Sequence, residues 1–231
     1  MLSLRSRRAV HTATVSAVRP LTSRMVRVTA VAESLKGVEV RPAQDIELFL
    51  PYAAGRGVKR RYTIRASRPD TGEMDVDVFL HGHGPGSRWA STARPGDTME
   101  FVGPRGKLEL RPADWHLFVG DEASVPAMAA LTEALGERTT TLVVAEVTDA
   151  SDELPLTATS VCWLHRGDEP AGTSALVEPA VRALALPPGT GRAYLLGESR
   201  VVNQLRALLP SLGVPADNLF AKGYWNRPGR G

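Results

Sequence analysis

Between about residues 8 and 112 the chain alternates apolar and polar positions in short runs. Residues 10–18 alternate, residues 25–31 (MVRVTAV) do so again, and 46–50, 62–65, 74–80 (MDVDVFL) and 98–102 follow. A period of two is the mark of a strand with one face turned to a core. Turn signals fill the gaps: Arg41-Pro42, Gly55-Arg56-Gly57, Arg68-Pro69-Asp70-Thr71-Gly72 and Arg94-Pro95-Gly96-Asp97. Six such runs predict an antiparallel six-stranded sheet or closed barrel.

Past Arg111-Pro112 the texture changes. The apolar run 116–120 ends on Gly120 and predicts a buried strand, followed by a helix over 126–135. Residues 140–147, 161–164 and 193–197 read as further strands, 174–184 and 200–209 as helices. Strand and helix in alternation predict a doubly wound parallel sheet. The expected organisation is therefore a β-barrel over 1–112 and an α/β domain over 113–231.

Composition narrows the classes. Apolar residues are 43% and charged residues 23% of the chain, an ordinary globular balance, with a net charge of +3. Four lysines stand against 24 arginines; the total reads as compositional bias, and only particular arginines as anion ligands. A mild charge without a basic–aromatic cluster argues against nucleic-acid binding. The single cysteine, Cys162, excludes an intramolecular disulfide and any Cys-based zinc or iron–sulfur site, and its apolar neighbours make it a small core residue. Arg5, Arg7 and Arg8 make the start basic, but no signal-length apolar stretch follows, and no window reaches the ~20 apolar residues of a membrane span. The expectation is a cytoplasmic protein without a membrane partner, a monomer or weak dimer.

Two segments carry candidate chemistry. In Arg60-Arg61-Tyr62-Thr63-Ile64-Arg65, a tyrosine ring can pack on an isoalloxazine face. A neighbouring hydroxyl can reach the ring edge, and an arginine can neutralise a pyrophosphate. On a regular strand Arg60 and Tyr62 face one way and Thr63 the other, so convergence needs a bend or bulge; a basic strand edge with one aromatic explains the tetrapeptide equally well. The second segment, His81-Gly82-His83-Gly84-Pro85-Gly86-Ser87-Arg88-Trp89-Ala90, leads into a short helix. Its glycines allow close approach to phosphates and the helix start offers free N–H groups. Pro85 suits an early helical position. The spacing is not that of the dinucleotide fingerprint, and two histidines without a third ligand give a metal little support.

RRYTIR, then DVDVFLHGHGPGSRWA, then VGPRG resemble the FAD-binding half of the siderophore-interacting protein family. VGDEASVPAM, VCWLHRGDE, AYLLGES and AKGYWNRPG continue that resemblance in order through the second half. It implies a FAD-binding barrel domain followed by an NAD(P)H-binding α/β domain. FAD would be held by Arg60, Tyr62 and Thr63, with His81, Gly82, Gly84, Ser87, Trp89 and Ala90 in the phosphate loop. Asp121 and Ser124 would lie near the adenine or the domain junction, although Ser124 serves equally as a helix cap. Gly197 and Glu198, at a strand end that opens a helix, belong to the nicotinamide side, where NADH and NADPH both remain open; Arg166 and Arg200 could meet a 2′-phosphate but read more readily as surface arginines.

The activity implied is transfer of electrons from NAD(P)H through flavin N5 to a ferric siderophore, releasing Fe(II), with no acid or base residue required. Lys59, Lys222 and Arg227 are the candidate basic rim for an anionic ferric chelate. The sequence departs from the family pattern at Ser124-Val125 and Ser199, and at Asn226, where a basic residue would directly follow the tryptophan. The alternatives are a flavin reductase serving a carrier protein or biosynthetic enzyme, and a flavoprotein of this fold with a non-redox role.

Overall fold

Alternation becomes structure strand by strand. The computed structural model describes residues 9–51 and 57–227, so Arg5, Arg7, Arg8 and the Gly55-Arg56 part of one turn lie outside the described residues. Six strands form first: β1 (His11–Pro20), β2 (Met25–Val31), β3 (Asp45–Leu50), β4 (Val58–Arg68), β5 (Glu73–Phe79) and β6 (Thr98–Arg105). They close into a barrel in the order β1-β2-β5-β4-β3-β6, and each neighbouring pair is antiparallel. The inward set includes Val15, Val28, Ile46, Leu48, Ile64, Met74, Val76 and Phe101. Closure leaves no unpaired sheet edge in this element set.

One strand is buried on both faces. The outward Asp75 and Asp77 of β5 are covered by arginines from the neighbouring strands. Arg27 grips Asp77 through Nε at 2.7 Å and Nη2 at 2.8 Å. Arg68 grips Asp75 at 2.9 and 3.1 Å while the Thr29 hydroxyl donates to it at 2.7 Å. These contacts hold the Asp75 carboxyl below its usual range in spite of burial, which acts the other way. A helix, α1 (Gly84–Thr92), follows β5 and packs against β2, β3 and β5.

The rest of the chain forms β7 (Trp115–Asp121), α2 (Val125–Leu135), β8 (Thr140–Val147), β9 (Ser160–His165), α3 (Val177–Arg182), β10 (Gly191–Glu198), α4 (Ser199–Leu208) and β11 (Leu219–Trp225). The five strands make one parallel sheet in the order β11-β10-β7-β8-β9. Central β7 is buried on both faces, hence its unbroken apolar run. Leu117 and Val119 face the core shared with α3 and α4, whereas Phe118, of opposite parity, stacks on Tyr194 at 5.1 Å. Cys162 is half-buried at the margin of the α3/α4 core.

Two expectations need correction. The helix foreseen over 174–184 is only Val177–Arg182; Ser174, outside it, donates its hydroxyl to the Glu146 carboxylate. Strand β11 was not foreseen at all. As an edge strand it is half-buried along most of its length and shows no clean alternation.

By contact density the chain forms two compact units. One runs to Pro20 and resumes over Met25–Lys107; the other takes Leu21–Arg24 and the chain from Leu108 onward. Among the described residues no helix is long and apolar enough to cross a membrane.

Candidate functional site

In the barrel unit, the candidate residues converge where β4 passes the start of α1. Tyr62 projects from β4 onto the helix, its ring 6.2 Å from that of Trp89. Gly86 makes the contact possible: any Cβ there would collide with the Tyr62 hydroxyl. Burial pushes the Tyr62 phenol up to about 12, so it is a neutral hydroxyl across the working pH range. Thr63, next along the strand, is buried, and its Oγ1 has no hydrogen-bond partner among the described residues. The β4–β5 pairing shifts register between Ile64 and Ala66, which supplies an irregularity one residue beyond Thr63. Arg60 is exposed, with Nη1 donating to the Lys59 carbonyl at 2.8 Å. Its neighbour Arg61 is spent on structure, pairing with buried Asp45 at 2.9 and 2.5 Å.

The loop into α1 has the form of an anion cradle. Gly82 and Gly84 turn the chain through φ of +80° and +81°. Helix α1 then starts from His83 with Pro85 in its first turn and no side-chain cap. The first N–H groups of an uncapped helix seek an anion or water. Ser87 and Ala90 are buried on the inner side of α1 and Trp89 is half-buried. The His81 and His83 rings meet edge to face at 4.4 Å; burial, and then the proximity of His83, hold His81 below its usual value. Among the described residues no group of three His, Cys, Asp or Glu is placed to hold a metal. An orphaned buried hydroxyl, a glycine that lets a tyrosine ring approach and an uncapped helix start together fit FAD in both its ring and its phosphates.

The second unit gathers a different set at the carboxyl ends of its strands. Asp121 ends β7 and is buried. Its Oδ2 accepts from Glu198 N–H at 2.9 Å and from the Trp225 indole Nε1–H at 2.8 Å, and Oδ1 accepts from Ala123 N–H at 3.0 Å. Burial, with Glu122 beside it, nevertheless pushes the Asp121 carboxyl up to about 7. Gly197, at φ +141°, lies so close that a Cβ would stand 2.7 Å from Asp121 Oδ2. The Glu198 carboxylate caps α4, accepting from Arg200 N–H at 2.6 Å and Val201 N–H at 3.1 Å, and takes Arg227 N–H at 3.2 Å.

Two sequence expectations change here. Ser124 precedes α2 but does not cap it. Its hydroxyl donates to the Asp121 carbonyl at 2.8 Å and accepts Asp121 N–H at 3.0 Å, closing the turn on itself. Arg166 is no surface arginine: its side chain is 6% exposed, in a close ion pair with Glu122, 3.9 Å from Glu146, and donating to Thr148 Oγ1 at 2.8 Å. The geometry at Glu122 is that of an ion pair rather than an aligned hydrogen bond. The basic rim candidates are also engaged. Lys59 sits 4.8 Å over Phe49 and 3.5 Å from Glu47, Lys222 sits 4.7 Å over Tyr224, and the Arg227 guanidinium reaches the Gly172 carbonyl at 3.5 Å. Glu146, Ser174 and the Trp225 indole were missed; only Glu146, an acid closing a buried strand, left a usable signal.

A barrel with a cofactor cradle, followed by a five-stranded parallel sheet, defines a two-domain flavin-dependent oxidoreductase. The model of the siderophore-interacting FAD-binding domain matches residues 51–108, and that of the siderophore-interacting protein matches residues 113–228. The chain belongs to the siderophore-interacting protein family. Among its relatives is the ferric vibriobactin reductase ViuB of Vibrio cholerae, 30% identical over a 230-residue alignment covering 88% of this chain and 84% of that protein. Solved structures include a siderophore utilization protein from T. fusca, with a TM-score of 0.87, 30% identity and coverage of 95% of this chain and 93% of that one. The siderophore-interacting protein SipS from Aeromonas hydrophila follows with a TM-score of 0.82, 27% identity and coverage of 96% and 93%.

Proposed function

We propose that this protein uses FAD to carry electrons from a nicotinamide donor to a ferric siderophore. The observation that carries the reading is the cradle of Tyr62, Thr63 and the uncapped start of α1, in a chain related to a ferric siderophore reductase. In this reading Tyr62 packs on the ring system, Thr63 Oγ1 gives its unused hydrogen bond to the ring edge, and Arg60 neutralises the pyrophosphate. The Gly82–Gly84 turn, Ser87 and the first N–H groups of α1 bind phosphate, His81 and Trp89 wall the cradle, and Ala90 keeps the helix close. The bound flavin supplies the exchange between two-electron and one-electron chemistry. Overall, one reduced nicotinamide is oxidised and releases one proton while two Fe(III) become Fe(II). Catecholate and hydroxamate oxygens are hard ligands that hold Fe(II) far less well, so reduction frees the metal.

The second unit is assigned to the donor, with Asp121, Gly197 and Glu198 shaping the sheet edge. Lys59, Lys222 and Arg227 are the candidate contacts for the anionic chelate. The test is anaerobic. Purified protein loaded with FAD is mixed with NADH or NADPH, then with a ferric tris-catecholate and a coloured Fe(II) trap. Bleaching of the flavin band, then its return with formation of the Fe(II) complex, is expected. A band that bleaches but never transfers to iron would refute the siderophore part. A colourless protein that takes up no FAD would refute the whole reading.

A further inference from the structure

We propose that the Trp225 end of β11 is a proton-controlled gate, closed while the Asp121 carboxyl holds its proton and opened to water when that carboxyl ionises. The gate does not depend on which donor or acceptor the protein serves.

The carboxyl end of the parallel sheet buries four acids, Asp121, Glu122, Glu146 and Glu198, with one guanidinium, that of Arg166. Glu122 adjoins Asp121 on its own turn, Glu146 stands in register beside it on β8, and Glu198 ends β10. Arg166 is paired with Glu122 and lies 3.9 Å from Glu146, so the one buried cation is spent away from Asp121. The first turn of α2 carries no charge, Arg200 at the start of α4 is exposed, and the Arg227 guanidinium rests on the Gly172 carbonyl. An acid so placed is costly to ionise unless water reaches it. A cavity of about 20 Å³ adjoins Asp121, with Gly120, Glu146, Ser174 and Glu198 in its wall. It has room for a single water, too little to hydrate a carboxylate in place. Hydration needs an element to move.

The end of β11 is the element built to do so. Of the three N–H donors on Asp121, Ala123 lies on its own turn and Glu198 on β10, a strand paired on both sides. The third is the indole of half-buried Trp225, on an edge strand. The β10–β11 pairing also slips just there: Gly197 pairs with Gly223 and Glu198 with Trp225, leaving Tyr224 as an extra residue. Such a bulge interrupts the ladder, so residues 224–227 can lift while 219–223 stay paired. The Ser199 hydroxyl at the Trp225 carbonyl and the Glu198 carboxylate at Arg227 N–H also hold this end, and both are exposed by the same movement. Opening removes the burial that pushes Asp121 up to about 7, at the loss of one donor of three, and burial is the larger influence. The proton therefore favours the closed form. Closure is firmest below the ordinary carboxyl value, weakens as pH rises, and levels off above about 7.

Hydrogen exchange of the FAD-loaded protein tests the gate, with rates corrected for the intrinsic effect of pH on amides. Protection over residues 224–227 should fall at least about ten-fold between about pH 5 and pH 7.5 and then level off; complete hydration of the acid would give about a hundred-fold. Exchange there should stay faster than in β7, the mark of a local opening. Asp121→Asn, which cannot ionise, should make the protection independent of pH. If that variant does not fold, the indole N–H of Trp225 in the parent carries the test. Its exchange with water, followed by NMR, should trace the same curve while that of buried Trp115 stays slow. Protection without pH dependence, a dependence that survives Asp121→Asn, or exchange of residues 224–227 only in step with β7 overturns the proposal.

Discussion

Thr63 and Asp121 are both buried polar side chains, and they are opposite cases. A buried hydroxyl without a partner costs stability that a bound ligand returns. Thr63→Val should therefore leave the melting of the FAD-free protein within about 0.5 kcal/mol of the parent or raise it. The same change should weaken FAD by about ten-fold, equal to ~1.4 kcal/mol; fluorescence titration with FAD reads the second number and thermal melting the first. Asp121 is fully partnered yet raised, from 3.8 to about 7, by burial and by Glu122. An acid raised in the folded state contributes stability that is full below its unfolded value and is lost as pH climbs through its folded one. Asp121→Asn should accordingly gain on the parent as pH rises from about 4 to about 7, then run parallel above it. Melting temperatures across that range check the sign, and a constant offset would contradict it.

Among the elements, β11 is tied at its end by a single residue. Its last residue, Trp225, donates its indole N–H to Asp121 and accepts the Ser199 hydroxyl at its carbonyl. Trp225→Phe removes the indole N–H together with part of the ring, a cost of about 1 kcal/mol for the hydrogen bond with a further term for the void. Faster amide exchange over Leu219–Trp225 with little change in β7 is the expected result. That strand also marks where the sequence stops being legible. The barrel strands alternate because one face meets a core, and β7 is a solid apolar run because both faces do. Edge strand β11 meets neither condition, so its pattern carries no period. The same holds at the sites. Tyr62 and the HGHGPGS turn declare themselves by residue type and spacing. The Arg166–Glu122–Glu146 cluster and the Ser174 hydroxyl do not, since their partners lie far apart in the chain and only the sheet register joins them. Ser124 misled for a related reason: a serine before a helix is a good cap unless the turn it closes takes the hydroxyl first.

At the scale of the whole molecule, each unit has its own apolar core and its own buried charge network. The candidate FAD residues on β4 and α1 all belong to the barrel, so the cofactor should act on stability unevenly. At about a hundred times its Kd, FAD should add ~2.7 kcal/mol to the state that binds it. Hydrogen exchange should then show added protection in the barrel strands, with β7 and β10 little altered. Equal protection throughout would mean that the two units open together.

The carboxylate of Glu198 has one more consequence. By sitting on the N–H groups of Arg200 and Val201 it gives α4 an internal counter-ion, in the place where another helix would recruit one from solution. Chloride, sulfate and buffer phosphate find nothing to displace there, and neither does a dinucleotide's diphosphate. An anion should therefore gain a hold at the start of α4 only once that carboxylate is removed. Thermal melting in sodium sulfate against sodium chloride of equal ionic strength should show sulfate stabilising Glu198→Ala more than the parent; an equal response of the two would contradict it.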